Sequence, residues 1–317
     1  MRLSVWLNRS AEIEEKAEKT ESELSMSIAA HKREFSVSAI IPTYCRPTDL
    51  NDLFRSLFHQ STKPLEIIVV DDTPDGTIQD LCREYEAEFK GANIKLIYAK
   101  NPGERSLAAS RNVGFRLAKR ELISFFDSDT LLSPNYIEKI VEVFADYPGA
   151  LGVQGWISRS DRSRPSRLGQ LFNRFFFLEH WAIDSCRFFE YPVALTGIVN
   201  CERLSGSNMT YKRRVFSEFE FDESLKKYSY MEDVLFSHSI FKRYPKGLFI
   251  SPYAQCIHKT SKAGRVENEE LKKQKRQYSK YVLVKLFGTK GVFLYLWQNL
   301  GAAIKQYLKA LRFGDQF

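Results

Sequence analysis

Glu121-Leu-Ile-Ser-Phe-Phe-Asp-Ser-Asp129 is an apolar run rich in strand formers that ends in two carboxylates one residue apart. A buried strand does not finish on paired acids without compensation, because like charges this close repel unless a cation or hydrogen-bond donors offset them. At the C-terminal edge of an open α/β sheet, where such folds bind ligands, Asp127 and Asp129 suit a hard divalent cation held against a phosphate. The plainer reading is a polar turn, since Asp and Ser are common turn residues.

The chain upstream repeats the same pattern. Val37-Ser-Ala-Ile-Ile41 is a short apolar run closed by Pro42, and Leu65-Glu-Ile-Ile-Val-Val70 runs into Asp71, Asp72 and the turn Thr73-Pro-Asp-Gly76. Between them Thr48 offers an N-cap, and Leu50, Leu53, Phe54, Leu57 and Phe58 recur at helical spacing up to Gln60. A helix follows over 78–89, then a strand at Ile94-Lys-Leu-Ile-Tyr98. Asn101-Pro-Gly103 breaks the chain before a helix over about 106–118, which carries Leu107, Ala108, Val113 and Leu117 inward. Beyond the opening stretch, Ser133-Pro134 reads as an N-cap with proline at the first helical position. Strands alternating with helices of this length specify a mostly parallel sheet with right-handed crossovers. Three strands then deliver Pro42-Thr43, Asp71-Asp72 and Asp127-Asp129 to one sheet edge.

With 317 residues, 44% hydrophobic and 14% aromatic, the chain has material for one large core. Residues 1–34 are charge-dense and read as a polar extension. The five cysteines, Cys45, Cys82, Cys186, Cys201 and Cys256, are odd in number and show no C-x-x-C pair, which points to a reducing compartment. The sequence offers no signal-peptide h-region and no apolar run near the roughly 20 residues that span a bilayer, so a cytoplasmic location is expected. From Trp156 the pattern loosens, and Arg159, Arg162, Arg164 and Arg167 lead to Phe175-Phe-Phe177 in a long loop or short helix over the sheet edge.

The second half adds Leu204-Ser-Gly-Ser-Asn-Met-Thr-Tyr-Lys-Arg-Arg-Val-Phe216, Phe219-Glu-Phe-Asp-Glu223, Met231-Glu-Asp-Val-Leu235 and Cys256-Ile-His258. Together with Ile40-Ile-Pro-Thr-Tyr44, Val69-Val-Asp-Asp72, Ala109-Ser-Arg-Asn-Val-Gly114 and Phe126-Asp-Ser-Asp129, this ordered series resembles the family-2 glycosyltransferases. The resemblance covers about residues 36–261. It implies a GT-A fold, an α/β architecture with a mostly parallel Rossmann-like sheet flanked by helices. The expected division is a polar extension at 1–34 and a catalytic domain at 35–261, with a nucleotide-binding half at 35–130 and an acceptor half at 131–261. A basic helical extension occupies 262–317.

What the family does is transfer a sugar from a nucleotide-diphosphate sugar to an acceptor hydroxyl with inversion, which needs a cation for the leaving diphosphate and a base for the hydroxyl. By resemblance, Asp129 is a direct ligand of Mn²⁺ or Mg²⁺, and Asp127 contacts the ribose or reaches the cation through water. His258 matches a third ligand. Asp72 matches the acid that reads the nucleobase edge, with Pro42 and Thr43 lining the pocket and Asp71 as structural partner. Arg111 and Asn112 either brace this edge or neutralise diphosphate charge. Asp233 matches the general base, Glu232 orients it or binds acceptor hydroxyls, and Gly206 and Asn208 match the loop that approaches the donor sugar. Cys45-Arg46 stands where relatives commonly carry Asn after the Tyr, and Thr73-Pro-Asp-Gly76 replaces a usual Gly-Ser turn. The absence of a Gln-x-x-Arg-Trp motif argues against a processive polymer synthase. The implied partners are a nucleotide sugar and a glycan or lipid-linked acceptor, in assembly of a surface polysaccharide or glycoconjugate. A nucleotidyltransferase would carry a Gly-rich loop after the first strand, which Pro42-Thr-Tyr-Cys-Arg46 lacks. A non-catalytic binding module would not require the acids.

The net charge of +8 is concentrated: residues 259–312 hold thirteen Lys or Arg against three Glu, a net of +10. Val292-Phe-Leu-Tyr-Leu-Trp297 and the apolar residues after it alternate with Lys305, Lys309 and Arg312. Such a segment either lies on anionic lipid at the inner face of the membrane or packs on the catalytic core. Nucleic acid is not expected, because no stacking platform or reader motif accompanies the charge.

Overall fold

The computed structural model describes residues 35–158, 167–176, 195–261, 263 and 269–313. The N-terminal extension, Arg159, Arg162, Arg164 and Cys186 therefore lie outside the described residues.

The first half follows the alternation read from the sequence. β1 (Val37–Thr43), β2 (Glu66–Asp71), β3 (Lys95–Lys100) and β4 (Leu122–Phe126) are joined by α1 (Pro47–Phe58), α2 (Thr77–Gly91) and α3 (Leu107–Leu117). β1, β2 and β4 are buried along their whole length, as continuous apolar strands covered on both faces should be. Ala39 and Ile41 face a core shared with α1 and α2, whereas Ile40 faces a second core that includes Ala108 of α3. Ser106 caps α3, its hydroxyl accepting from Ala109 N at 3.2 Å.

Two helix starts differ from expectation. Pro47 itself occupies the first turn of α1, with Arg46 at the cap position and no side-chain cap, because proline's fixed φ already suits a helix start. Ser133 does not cap the next helix. Its amide donates to Gln255 O at 2.9 Å and so prolongs strand pairing, and α4 (Tyr136–Asp146) starts after Asn135.

The second half completes the sheet with β5 (Thr130–Leu132), β6 (Gly152–Ser158), β7 (Val199–Asn200), β8 (Asn208–Lys212) and β9 (Leu248–His258). Helix α5 (Arg167–Phe175) is the short helix foreseen after Trp156, and α6 (Glu232–Arg243) precedes β9. The order is β3-β2-β1-β4-β8-β6-β9-β5, with β7 beside β9. β8 runs antiparallel to β4, placing Asn208 opposite Phe126, and β5 runs antiparallel to β9, placing Thr130 opposite His258.

Two further helices follow, α7 (Glu269–Phe287) and α8 (Thr289–Phe313), joined at Gly288, whose φ of +58° is open to glycine at little cost. α7 packs on the catalytic domain: Val282 and Leu286 are buried against Leu225, Met231 and Leu235. Its charges are also engaged, since Lys285 pairs with Asp222 at 2.6 Å and Glu270 with Lys227.

Candidate active site

The site forms where the carboxyl ends of β1, β2 and β4 meet, the edge at which open α/β sheets bind ligands. β1 ends on Thr43 opposite Asp71 of β2, and Asp127 follows β4 by one residue. Asp71 is fully buried and structural, accepting from Thr73 N at 2.7 Å, Tyr98 Oη at 2.9 Å and Lys100 Nζ at 2.9 Å. Asp72 is only half-buried. Burial pushes its carboxyl up, opposed by hydrogen bonds from Ser110 Oγ at 2.6 Å and Asn101 Nδ2 at 2.7 Å.

Pro42, Thr43, Asp72 and Asp127 line one open cleft with about 570 Å³ of empty space. Among the described residues, Thr43 Oγ1 is a buried hydroxyl with no hydrogen-bond partner. Three cations that the sequence analysis did not assign, Arg46, Arg105 and Lys227, share the cleft with Tyr228. Arg46 was visible as a departure after Tyr44. Lys227 had no signal, since it reaches the cleft only through the pairing of Lys227 with Ser106.

Asp127, Asp129 and His258 each offer a ligand atom within 4.8 Å of the others. The β5–β9 register brings His258 across from the acids, with Nε2 3.2 Å from Asp129 Oδ1 and 3.8 Å from Asp127 Oδ2. Asp129 is fully buried, which by itself would raise its pKa. The His258 hydrogen bond, the charges of His258 and Arg46 (3.3 Å), and Ser261 N at 2.8 Å outweigh that and hold it at about 2. A permanently ionised, buried carboxylate beside a second carboxylate and an imidazole fits Mg²⁺ or Mn²⁺. Cys256 is near but not a ligand candidate, because burial pushes its thiol up to about 12.

Asp233 stands in the first turn of α6, where the helix dipole favours an anion. Its Oδ2 accepts from Gly206 N at 2.9 Å and its Oδ1 from Val234 N at 2.8 Å. The turn before it is strained: Lys227, Ser229 and Met231 all have positive φ, at 55°, 46° and 72°. That turn is pinned to the start of α3 by Leu107 N to Lys227 O at 3.1 Å and Lys227 N to Arg105 O at 2.7 Å.

Glu232 is turned into the protein interior. It is buried and paired with Arg111, which is 1% exposed. Arg111 Nη2 also donates to Gly206 O at 2.9 Å and to Asp127 Oδ1 at 3.3 Å. One guanidinium thus joins Asp127, the 204–208 loop and the helix bearing Asp233. Of the two roles foreseen for Arg111, bracing is the one its contacts describe. Gly206 is required by this crowding, because a Cβ there would lie 2.7 Å from Arg111 Nη2 and 3.2 Å from Asp233 Cβ.

Asn112 and Asn208 are placed under the site. Asn112 clamps the backbone of Phe221, donating to its O at 2.9 Å and accepting from its N at 3.1 Å. Asn208 is fully buried and donates to Gly155 O at 3.0 Å, so its amide braces β8 against β6.

The geometry agrees with what the chain resembles. Over 131 residues it is 33% identical to validoxylamine A glucosyltransferase of Streptomyces hygroscopicus subsp. limoneus, covering 41% of this chain and 28% of that protein. Over 263 residues it is 24% identical to the putative glycosyltransferase EpsH of Bacillus subtilis, covering 78% and 74% of the two. The chain thus spans less than a third of the length of the first of these relatives and about three quarters of the second. Among solved structures, the fold is similar to the mannosyltransferase PcManGT of Pyrobaculum calidifontis, determined with GDP-Man and Mn²⁺. That match has a TM-score of 0.54 at 15% identity, covering 88% of this chain and 80% of that one. The fold also resembles mannosyl-3-phosphoglycerate synthase of Rubrobacter xylanophilus, with a TM-score of 0.55 at 15% identity and coverage of 84% and 79%. The family model described as glycosyl transferase family 2 matches residues 38–219, more than half of the sequence, and with the GT-A fold around it the chain belongs to that family.

Proposed function

We propose that this chain is an inverting, cation-dependent glycosyltransferase that moves a sugar from a nucleoside-diphosphate sugar to a hydroxyl of a glycan or lipid-linked acceptor. One observation carries this reading: Arg111 fastens Asp127, which lines the cleft, and the helix bearing Asp233 to the same loop. Asp72 and Thr43 would take the nucleoside, and Arg105 and Lys227 would offset diphosphate charge. A divalent cation held by Asp127, Asp129 and His258 would stabilise the leaving diphosphate. Asp233, held by two backbone amides but still partly exposed, would accept the proton of the acceptor hydroxyl as it attacks the anomeric carbon from the face opposite the leaving group. No covalent sugar–enzyme bond is needed.

Family membership removes the support for a nucleotidyltransferase, and a binding module has no use for a mounted base. The proposed setting is the cytoplasm, at a site of surface glycan assembly. The test is product analysis by NMR after incubation with Mn²⁺ and a panel of nucleotide sugars and acceptors. Transfer with inverted anomeric configuration is expected; retention, or donor binding without any transfer, overturns the proposal.

A further inference from the structure

The basic tail divides into two halves with different partners. α7 is fixed to the catalytic domain, whereas α8 packs chiefly on α7 and α5. Phe176 lies against Gly301 and stacks on Trp297 at 5.0 Å, Trp297 Nε1 donates to Phe175 O at 2.8 Å, and Lys305 Nζ donates to Asn173 Oδ1 at 2.9 Å. The two helices thus form one unit.

Each helix leaves an apolar row in solvent. On α5, Leu168, Leu171 and Phe175 recur three and four residues apart, and Leu168 is 80% exposed. On α8, Phe293, Leu296 and Leu300 recur at the same spacing, and Phe293 is 62% exposed. Rows of this kind on a water-facing surface mark an interaction face. The charges around them have one sign: α5 and α8 together contain six Lys or Arg and no Asp or Glu. A second copy of this chain would bring the same positive charge, so self-association through this face is opposed. An anionic lipid surface is complementary on both counts, attracting the basic residues and taking the apolar rows into its headgroup boundary. Among the described residues no helix is long and apolar enough to cross a bilayer, so these helices would lie on the surface.

We infer that α5 and α8 form a two-helix platform that docks the protein on an anionic lipid surface. The platform reaches the chemistry through α7, which packs beneath Met231 at the start of the helix bearing Asp233. It does not rest on the identity of sugar or acceptor.

The experiment is co-sedimentation of the full chain with phosphatidylcholine vesicles, with and without phosphatidylglycerol and in the absence of donor, so that failure leaves the proposed reaction untouched. Binding to the anionic vesicles, weakened by salt, is expected. Arg174→Glu with Lys290→Glu should weaken it at least about tenfold, and so should Leu171→Ser with Leu296→Ser. All four positions are exposed, so these variants should keep the wild-type circular dichroism and melting temperature. Unchanged vesicle binding in both variants overturns the inference. So does absence of vesicle binding, whether the chain is monomeric by light scattering or forms a dimer that the Leu variant dissociates.

Discussion

The two halves of the sheet supply different groups to the candidate site. The parallel half, β1 to β4, presents Thr43, Asp72 and Asp127 at or just beyond strand ends, all from one continuous stretch of chain. The returning half contributes Gly206, Asp233 and His258, each positioned by a contact spanning many residues, such as Glu232 with Arg111 and His258 with Asp129. In the proposed mechanism nucleotide binding falls to the first half and bond making to the second. A binding surface needs only a sheet edge, whereas a base must be held at a set distance from what the edge binds.

The largest expected effect tests the second half. Asp233→Asn should lower kcat about 10³-fold with little change in donor KM, as loss of a general base does. A rise in donor KM instead would show that the halves are not separable. Next is the seam between them. Asp129→Ala should abolish saturable Mn²⁺ binding in calorimetry and lower kcat/KM about 10²-fold or more. In the parallel half, Asp72→Asn should raise donor KM about tenfold, leaving kcat near wild type, which steady-state kinetics will show.

The remaining prediction concerns stability, outside the reaction itself. His238 of α6 is buried, and burial pushes its pKa down to about 4. Its folded-state value lies below the roughly 6.5 of an unfolded histidine, so its contribution is intact above that pH and is lost as pH falls toward 4. Going from pH 7 to pH 5 should cost about 2 kcal/mol, and His238→Gln should flatten that slope in urea titrations. Asp129, held at about 2, does not lose its contribution in the same window, so acid should loosen the returning half first.

The same contrast explains what could be read from sequence. The parallel half is made of apolar runs broken by turn residues, so its alternation of strand and helix was legible. β9 was not, and only its last few residues stood out. It spans Leu248–His258 with Pro252 inside, which is tolerated because the pairing with β6 shifts register between Gly155 and Trp156. The helix starts failed for a local reason: Ser133 was claimed by strand pairing before it could cap. In the site, Asp72, Asp129 and Asp233 announce themselves as motif acids, and Gly206 and His258 as motif partners. Arg111 could not be decided, because its three oxygens come from three distant segments. Asn208 lies on the motif, and its amide is engaged by the backbone of β6, a contact the motif does not announce. The basic tail read as one segment because charge and apolar content do not say which helix has already found a partner.

The β5–β9 pairing has a consequence for how the protein is made. By residue 132 a nascent chain has both Asp127 and Asp129, yet the strand that carries His258 is 129 residues further from Asp129. Until that strand docks, β5 has no neighbour and Asp129 has neither its imidazole nor the Ser261 amide. Contacts of such long range form late, after the local parallel units have closed. Closure of the Asp127–Asp129–His258 cluster therefore waits for β9, and a partly folded chain holds the parallel edge without it.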